Sequence, residues 1–279
     1  MNDPAGNATE NAAPGPVRAL VLAASRGPDD PLARAFGVRH KCLLDVGGVP
    51  MLKRVVRALM EAPSVAEIAL VIDDEAAARE ALGPLAENVA FLPPAESASA
   101  SVLAALERDG PFRPVLITTG DHALLTAEMV EDFLRARREC ADADLLVALA
   151  RREVVERAFP DVKRTWLSFG GERVTSCNLF LFATPRALAA ARLWRRVEKD
   201  RKRPWRIARA FGVWPLLRLL LFRPGVRAAF RIAGKRLGIA ACPVFLRQPE
   251  AAIDVDKPED LALVERILQS RWEAQTYGT

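Results

Sequence analysis

Leu20 to Leu52 reads LVLAASRGPDDPLARAFGVRHKCLLDVGGVPML, an aliphatic run that opens into a long loop before a helix begins near Pro50. An apolar run bounded by small and turn-forming residues suits a strand buried on both faces, as in a parallel sheet. The loop carries Arg26, Gly27 and Lys41. A strand-to-loop junction can present converging backbone N–H groups together with fixed cations, the combination a polyphosphate needs.

Working outward, strand-like runs recur at Arg18–Ala23, Glu67–Ile72, Val89–Leu92, Pro114–Thr118 and Asp144–Leu149. Helical patterns alternate with them at Pro50–Glu61, Glu75–Glu87, Ser99–Arg108 and Thr126–Glu139. This alternation predicts a three-layer α/β fold with a mostly parallel central sheet. In such sheets ligands collect beyond the carboxyl ends of the strands, which places the loop after Ala23 near Thr119-Gly120-Asp121. After Ala150 the pattern changes to a hairpin, Trp166–Phe169 and Val174–Phe182 around Gly170-Gly171. Helical segments then follow at Pro185–Lys199, Pro204–Gly212, Trp214–Phe222 and Pro224–Gly238. Strand character returns at Ile239–Leu246, and a final helix opens at Pro258. The expected organisation is a tail over 1–16, a core over 17–185, a basic helical insert over 186–238 and a return to the core over 239–279.

Composition narrows the function classes. With 51% apolar residues over 279 positions the chain can bury a substantial core. It lacks the ~18 consecutive apolar residues of a membrane span, and residues 1–16 are too polar for a signal peptide, so a cytoplasmic protein is expected. The four cysteines form no C-x-x-C pair, which implies neither a zinc site nor a disulfide framework, and reduced thiols are expected. Charge is segregated. Arg192 to Arg236 holds fifteen Lys and Arg against two acids, a balance of +13, whereas the remainder has 25 bases and 33 acids, or −8. Aromatic and aliphatic residues interleave with those arginines, from Trp194 to Phe230. Such helices can pack on a sheet with the arginines in water, or lie at an anionic membrane surface, which would place the protein at the inner membrane face. No nucleic-acid module is recognisable.

Leu22-Ala23-Ala24-Ser25-Arg26-Gly27, Lys41 with the following CLLDVGGVPML, Gly120-Asp121, and Ile253-Asp-Val-Asp-Lys-Pro-Glu-Asp-Leu261 together resemble the MobA-like NTP transferases. This group includes molybdenum cofactor guanylyltransferase and methylerythritol phosphate cytidylyltransferase, whose pattern reads L-A-A-G-x-G-x-R, P-K, G-x-P-L and a terminal D-x-D-T-P-E-D-L. Ser25 and His40 depart from it, standing where the family has Gly and Pro, and Arg34 or Arg39 is a candidate replacement for the family's loop Arg.

The resemblance implies a nucleotidyltransferase fold of the Rossmann-like, GT-A-like kind and a Mg²⁺-dependent transfer of NMP from an NTP to a small phosphorylated acceptor. Arg26 and Lys41 are then the catalytic cations, Asp121 and Asp256 the Mg²⁺ ligands, and Leu22, Ala23, Ala24, Ser25, Gly27, Ser101 and Gly120 the nucleotide-binding residues. Asn178 falls on the acceptor side. Ser101-Val102 is closer to the cytidylyltransferase branch, so CTP is favoured, with a phosphorylated lipid-headgroup alcohol as one candidate acceptor. The rival readings are GMP transfer to a pterin, a nucleotide-sugar glycosyltransferase using Asp254-Val255-Asp256, and a degenerate domain serving as a membrane adaptor.

Each site residue also has an ordinary structural role open to it. Lys41 and Arg26 could be surface charges, Asp121 and Asp256 helix or turn caps, and Ser99 or Ser101 an N-cap. His40 and His122 are expected to be structural hydrogen-bonding groups, while Lys163, Arg164 and Trp166 could grip an acceptor phosphate or equally form a solvated loop with one packing Trp.

Overall fold

The computed structural model describes residues 15–25, 30–108, 111–198 and 223–277. Residues 199–222, which hold most of the basic, aromatic-rich stretch, lie outside the described residues, as do Arg26 and Gly27.

Among the described residues eight strands form one sheet, seven of them in the order β10-β7-β9-β6-β1-β4-β5, with β8 paired to β9 as a hairpin. They are β1 (Val17–Leu22), β4 (Val65–Val71), β5 (Val89–Leu92), β6 (Val115–Thr119), β7 (Leu145–Arg151), β8 (Leu167–Phe169), β9 (Glu172–Phe182) and β10 (Ala241–Phe245). β9 runs antiparallel to both β6 and β7, while the other pairings on the path are parallel. The fold is therefore the three-layer, mostly parallel architecture expected.

β1 is central, and its side chains alternate between two cores. Val17, Ala19 and Val21 face α2 (Met51–Met60), α3 (Glu75–Leu82) and α5 (Ala127–Arg135). Leu20 faces α4 (Ala98–Leu106) and α7 (Leu188–Glu198). A strand sandwiched this way must be apolar on both sides, which is why its sequence shows no polar alternation. α2 shows the complementary pattern: Leu52, Val55, Val56 and Leu59 are fully buried at helical spacing, each worth about 1.5–3 kcal/mol of apolar burial. The outer face of that helix carries Lys53, Arg54 and Arg57, of which Arg54 donates to the carbonyls of Val46 and Gly47 at 2.7 and 3.0 Å.

The glycine pairs behave as their positions require. Gly47 and Gly48, at φ 55° and 77°, close the hairpin of β2 (Asp45–Val46) and β3 (Val49–Pro50). Gly170 and Gly171, at 52° and 90°, close β8–β9. Both turns need left-handed backbone at two consecutive residues.

α7 and α8 (Val226–Leu237), the described parts of the basic segment, pack against the sheet assembly, α7 along α4 and α8 along β10. No helix among the described residues is long and apolar enough to cross a membrane.

The cysteines depart from expectation: Cys140 and Cys242 are joined in a disulfide, their Cα atoms 6.3 Å apart, while Cys42 and Cys177 are free and buried. The cause is long-range pairing. Asp144 accepts from the Ala240 N–H at 2.8 Å, and β10 then lies parallel to β7 with Cys242 opposite Leu146, which brings it beside the turn that precedes β7. Cysteine spacing alone carries no trace of that pairing. The bond closes 102 residues of chain, and the chain-entropy argument assigns such a loop about 4–5 kcal/mol. Reduction, or Cys140→Ser, is expected to lower Tm by about 10 °C in thermal denaturation with and without dithiothreitol. An unchanged Tm would mean the two thiols are not joined in solution.

Candidate active site

The site lies beyond the carboxyl ends of β1 and β6, which are adjacent because these strands pair in parallel, Leu22 opposite Thr119. Gly120 donates to the Leu22 carbonyl at 2.9 Å and lies so close to the next residue of the β1 loop that a Cβ on it would stand 2.8 Å from Ala23 Cβ. Only glycine lets the two loops meet this closely. Ala23 in turn donates to the Val71 carbonyl at 2.9 Å, so Leu22, Ala23, Ala24 and Ser25 leave the sheet on a path set on both sides by neighbouring strands.

Three remote pieces converge here. Lys41 sits in a 3₁₀ turn, Lys41–Leu43, and its Nζ reaches Asp121 Oδ2 at 2.9 Å and Asp256 Oδ1 at 3.2 Å. Asp256 is brought in by the returning chain, where Val255 donates to the Asp121 carbonyl at 3.0 Å. Beneath this contact Leu32, Leu44, Val46, Met51, Leu124, Ile253, Val255 and Val264 form a separate small core that fastens α9 (Pro258–Tyr277) under the site. Asp260 takes the capping role at the start of α9, accepting from the N–H groups of Asp256 and Lys257 at 3.2 and 3.0 Å. The Asp256 carboxylate is thereby left to Lys41.

Burial pulls the Lys41 pKa down, but the two carboxylates outweigh it and hold the ammonium above its ordinary value. Asp121 mirrors this. Burial, the largest single effect, raises its pKa, but the Lys41 charge together with its hydrogen bond and the smaller contributions of other neighbours more than offsets that, and the carboxyl is depressed overall. Asp121 Oδ1 is buried and has no hydrogen-bond partner. A carboxylate with one oxygen on an ammonium and the other unpartnered, beside a second carboxylate 45% exposed, is a donor set that fits a hard divalent cation. Two carboxylates would leave most of the coordination to phosphate oxygens and water, the usual arrangement for Mg²⁺.

A second carboxylate cluster adjoins the first. Asp254 accepts from Asn178 Nδ2 at 2.9 Å and from Arg164 Nη1, both partners being largely buried or half-buried. Asn178 has φ 51°, in a bulge where Ala148 of β7 lies opposite three residues of β9, 177–179. Left-handed backbone outside glycine costs about 1–3 kcal/mol and is easiest for asparagine, so the bulge aims this amide at Asp254 under strain. Arg164 is thus a buried ion-pair partner, which removes the solvated-loop alternative for this residue.

His122, 1% exposed, lies within the fields of Asp254 and Asp121. Burial dominates those charges and holds its pKa down to about 4. Because the folded value lies below the ordinary 6.5, the unfolded chain takes up the proton first, so stability is present above pH 6.5 and is lost as pH falls toward 4. Urea unfolding of the metal-free protein should lose about 3 kcal/mol across that window, and His122→Phe should flatten that part of the slope.

Other site candidates are committed elsewhere. Ser101, 5% exposed, accepts from the Ala95 N–H at 2.9 Å and donates to the Ser97 carbonyl at 3.0 Å, so its hydroxyl shapes the 93–101 loop. Ser97 caps α4, and Ser99 donates to Glu198. Arg39 pairs with Glu80 at 2.8 Å, on the α3 side.

Sequence reasoning passed over Asp73. Its carboxylate accepts from the Ser25 N–H at 2.9 Å, from the Ser25 hydroxyl, and from His40 Nε2 at 3.1 Å. Partial burial opposes the charge, but these hydrogen bonds prevail and depress the carboxyl to about 2. The available signal was an Asp-Asp pair at the carboxyl end of β4, next to β1.

Solved structures share this fold. A hypothetical transferase from Thermus thermophilus superposes with TM-score 0.70 at 33% identity, covering 88% of this chain and 99% of that one. The 4-diphosphocytidyl-2C-methyl-D-erythritol synthase of Anaerococcus prevotii shares the fold at TM-score 0.55 and 12% identity, over 91% and 96% of the two chains. CMP:2-keto-3-deoxy-manno-octonic acid synthetase, in complex with CTP, does so at 0.56 and 15%, over 92% and 99%. Comparison with curated proteins returns no match. The family model for the MobA-like NTP transferase domain matches residues 19–229, three quarters of the chain and the whole span from β1 into α8, and the chain belongs to that nucleotidyltransferase family.

Proposed function

We propose that the protein transfers CMP from CTP to a small phosphorylated acceptor, releasing pyrophosphate. The observation that carries this is the Lys41 ammonium held between Asp121 and Asp256 at the carboxyl ends of β1 and β6. In the reaction an acceptor phosphate oxygen attacks the α-phosphorus, the α–β anhydride bond breaks, and the electron pair leaves on pyrophosphate. A phosphate monoester has a second pKa of about 6 and is already ionised near neutrality, so no general base is needed. What the site must do is align two anions and meet the charge that develops on the α-phosphoryl oxygens. Lys41, kept protonated by its neighbours, supplies a fixed positive charge, as Arg26 would from the preceding loop. Asp121 and Asp256 would hold Mg²⁺, whose chemistry is to neutralise and template the phosphate oxygens. Leu22 to Gly27 and Gly120 would line the nucleotide, with Ser101 shaping the loop that meets the base. Asn178 and Asp254 would border the acceptor.

Asp254 is turned inward onto Arg164 and Asn178 while Asp256 faces Lys41. A shared metal-binding D-x-D of the glycosyltransferase kind needs both carboxylates on one ion, so this arrangement favours nucleotidyl transfer. The charge pattern around residues 192–236 supports an acceptor destined to become a lipid headgroup, with the protein at an anionic membrane surface.

The deciding measurement is pyrophosphate release, with Mg²⁺, from each of the four NTPs against sugar, polyol and alcohol phosphates. CTP should lead, and GTP with a pterin phosphate is the competing pair. Hydrolysis of nucleotide sugars with no pyrophosphate from any NTP would reject the proposal. Flotation with anionic liposomes at low salt tests the membrane component, which full recovery in the soluble fraction would remove.

A further inference from the structure

Two positions at which this chain departs from the family pattern, Ser25 and His40, meet at one carboxylate. Asp73 Oδ1 accepts from both the Ser25 N–H and His40 Nε2, and Oδ2 accepts from the Ser25 hydroxyl. On its far side the same imidazole accepts the Cys42 N–H at Nδ1, 3.0 Å away, so the hydrogen-bond network puts the ring proton on Nε2. His40 is 4% exposed and stands at the N-cap of the 3₁₀ turn that begins with Lys41. One buried ring therefore connects the end of β4 to the Cys42 amide of the lysine turn, and the same carboxylate pins the loop that leaves β1.

We infer that Asp73 is a positioning residue for Lys41, acting through His40, and that the Ser25–Asp73–His40 linkage ties the loop after β1 to the lysine turn. The physical need is plain. A lysine side chain has four rotatable bonds, and its ammonium is placed by the backbone that carries it only if that backbone is fixed. A 3₁₀ turn of three residues has poor hydrogen-bond geometry of its own. Its internal bonds, Leu43 N–H to the His40 carbonyl and Leu44 N–H to the Lys41 carbonyl, leave the Cys42 amide to be satisfied from outside, and His40 Nδ1 satisfies it. Without Asp73 the ring loses the acceptor that sets its tautomer and orientation, and the Lys41 turn loses its external anchor.

The inference deepens the nucleotidyl-transfer reading and rests on it for its kinetic arm. Its other arm does not. Hydrogen exchange of the segment covering residues 38–46 is measured in the full-length protein for the parent, Asp73→Ala, Asp73→Asn and His40→Ala, alongside Tm and steady-state pyrophosphate release. Asp73→Ala and His40→Ala should each speed exchange at the Cys42 amide about tenfold or more. They should lower kcat about tenfold or more while KM for the NTP moves less than about threefold, because a displaced Lys41 is felt in the transition state. Asp73→Asn should recover most of kcat, since its carbonyl can accept from His40 and its amide can donate to the Ser25 hydroxyl. The Asp73→Ala/His40→Ala double variant should be no worse than the worse single variant. Parental exchange at Cys42 in both alanine variants would overturn the inference, as would faster exchange with parental kcat. So would a lowered KM at unchanged kcat, the signature of a carboxylate that merely competes with nucleotide phosphate for the Ser25 amide. Should the parent release no pyrophosphate with any substrate pair, the nucleotidyl-transfer reading falls, and the exchange arm still decides whether Asp73 holds the lysine turn.

Discussion

Lys41→Ala is expected to cut pyrophosphate release by about a hundred- to a thousandfold, the scale of losing one preorganised charge donor from a site where negative charge develops. The same substitution should reveal itself without substrate. Lys41 and Asp121 are 17% and 19% exposed, so removing the ammonium leaves a largely buried carboxylate facing Asp256 with no cation between them. Breaking a buried pair from one side costs about 3–5 kcal/mol. In EDTA the variant should therefore melt well below the parent, and millimolar Mg²⁺ should restore much of the difference by taking the vacated position between the carboxylates. The parent, whose own ammonium already compensates them, should respond less to Mg²⁺. A variant with parental rates, or one whose melting ignores Mg²⁺, would separate Lys41 from the proposed site.

Asp121→Asn should lower kcat by at least about a hundredfold while keeping the fold, because the amide preserves shape but removes the charge proposed to hold the metal. Asp121 is the inner member of the pair: its Oδ1 is unpartnered and its backbone carbonyl anchors Val255. Asp256, at 45% exposure, can be replaced more readily by water or phosphate oxygen, so Asp256→Asn is expected to lose less. A titration of rate against Mg²⁺ concentration distinguishes the roles. Both variants should need more Mg²⁺ than the parent, Asp121→Asn the more so, and an unchanged Mg²⁺ requirement in both would remove these carboxylates from metal binding.

The features legible in the sequence are those written in local chemistry or in a spaced motif. The aliphatic run of β1, the Gly170-Gly171 turn and the alternating helices each follow from nearby residues alone. The meeting of Lys41, Asp121 and Asp256 was legible through the motif order. It depends physically on β1 pairing with β6 and on Val255 reaching the Asp121 carbonyl. What escaped notice depends on strand order that no local pattern encodes. Asp73 meets Ser25 because β4 is the other neighbour of β1, and Cys140 meets Cys242 because β10 lies beside β7. Arg164 could not be told from an ordinary loop cation because its partner, Asp254, lies 90 residues further along. The left-handed backbone of Asn178 arises from a bulge, which is a mismatch between two strands and is invisible in either one.

The small core under the site joins α1 (Pro31–Ala35), the turn after Lys41, the loop after β6 and the terminal helix. On a translating ribosome, where the chain emerges from its N-terminus onward, the Lys41 and Asp121 segments appear long before Asp256 and α9 do. A nascent chain can build most of the sheet and still have no third charge and no packing to seat it. The three-charge arrangement is in this way completed only in molecules whose synthesis has passed residue 256.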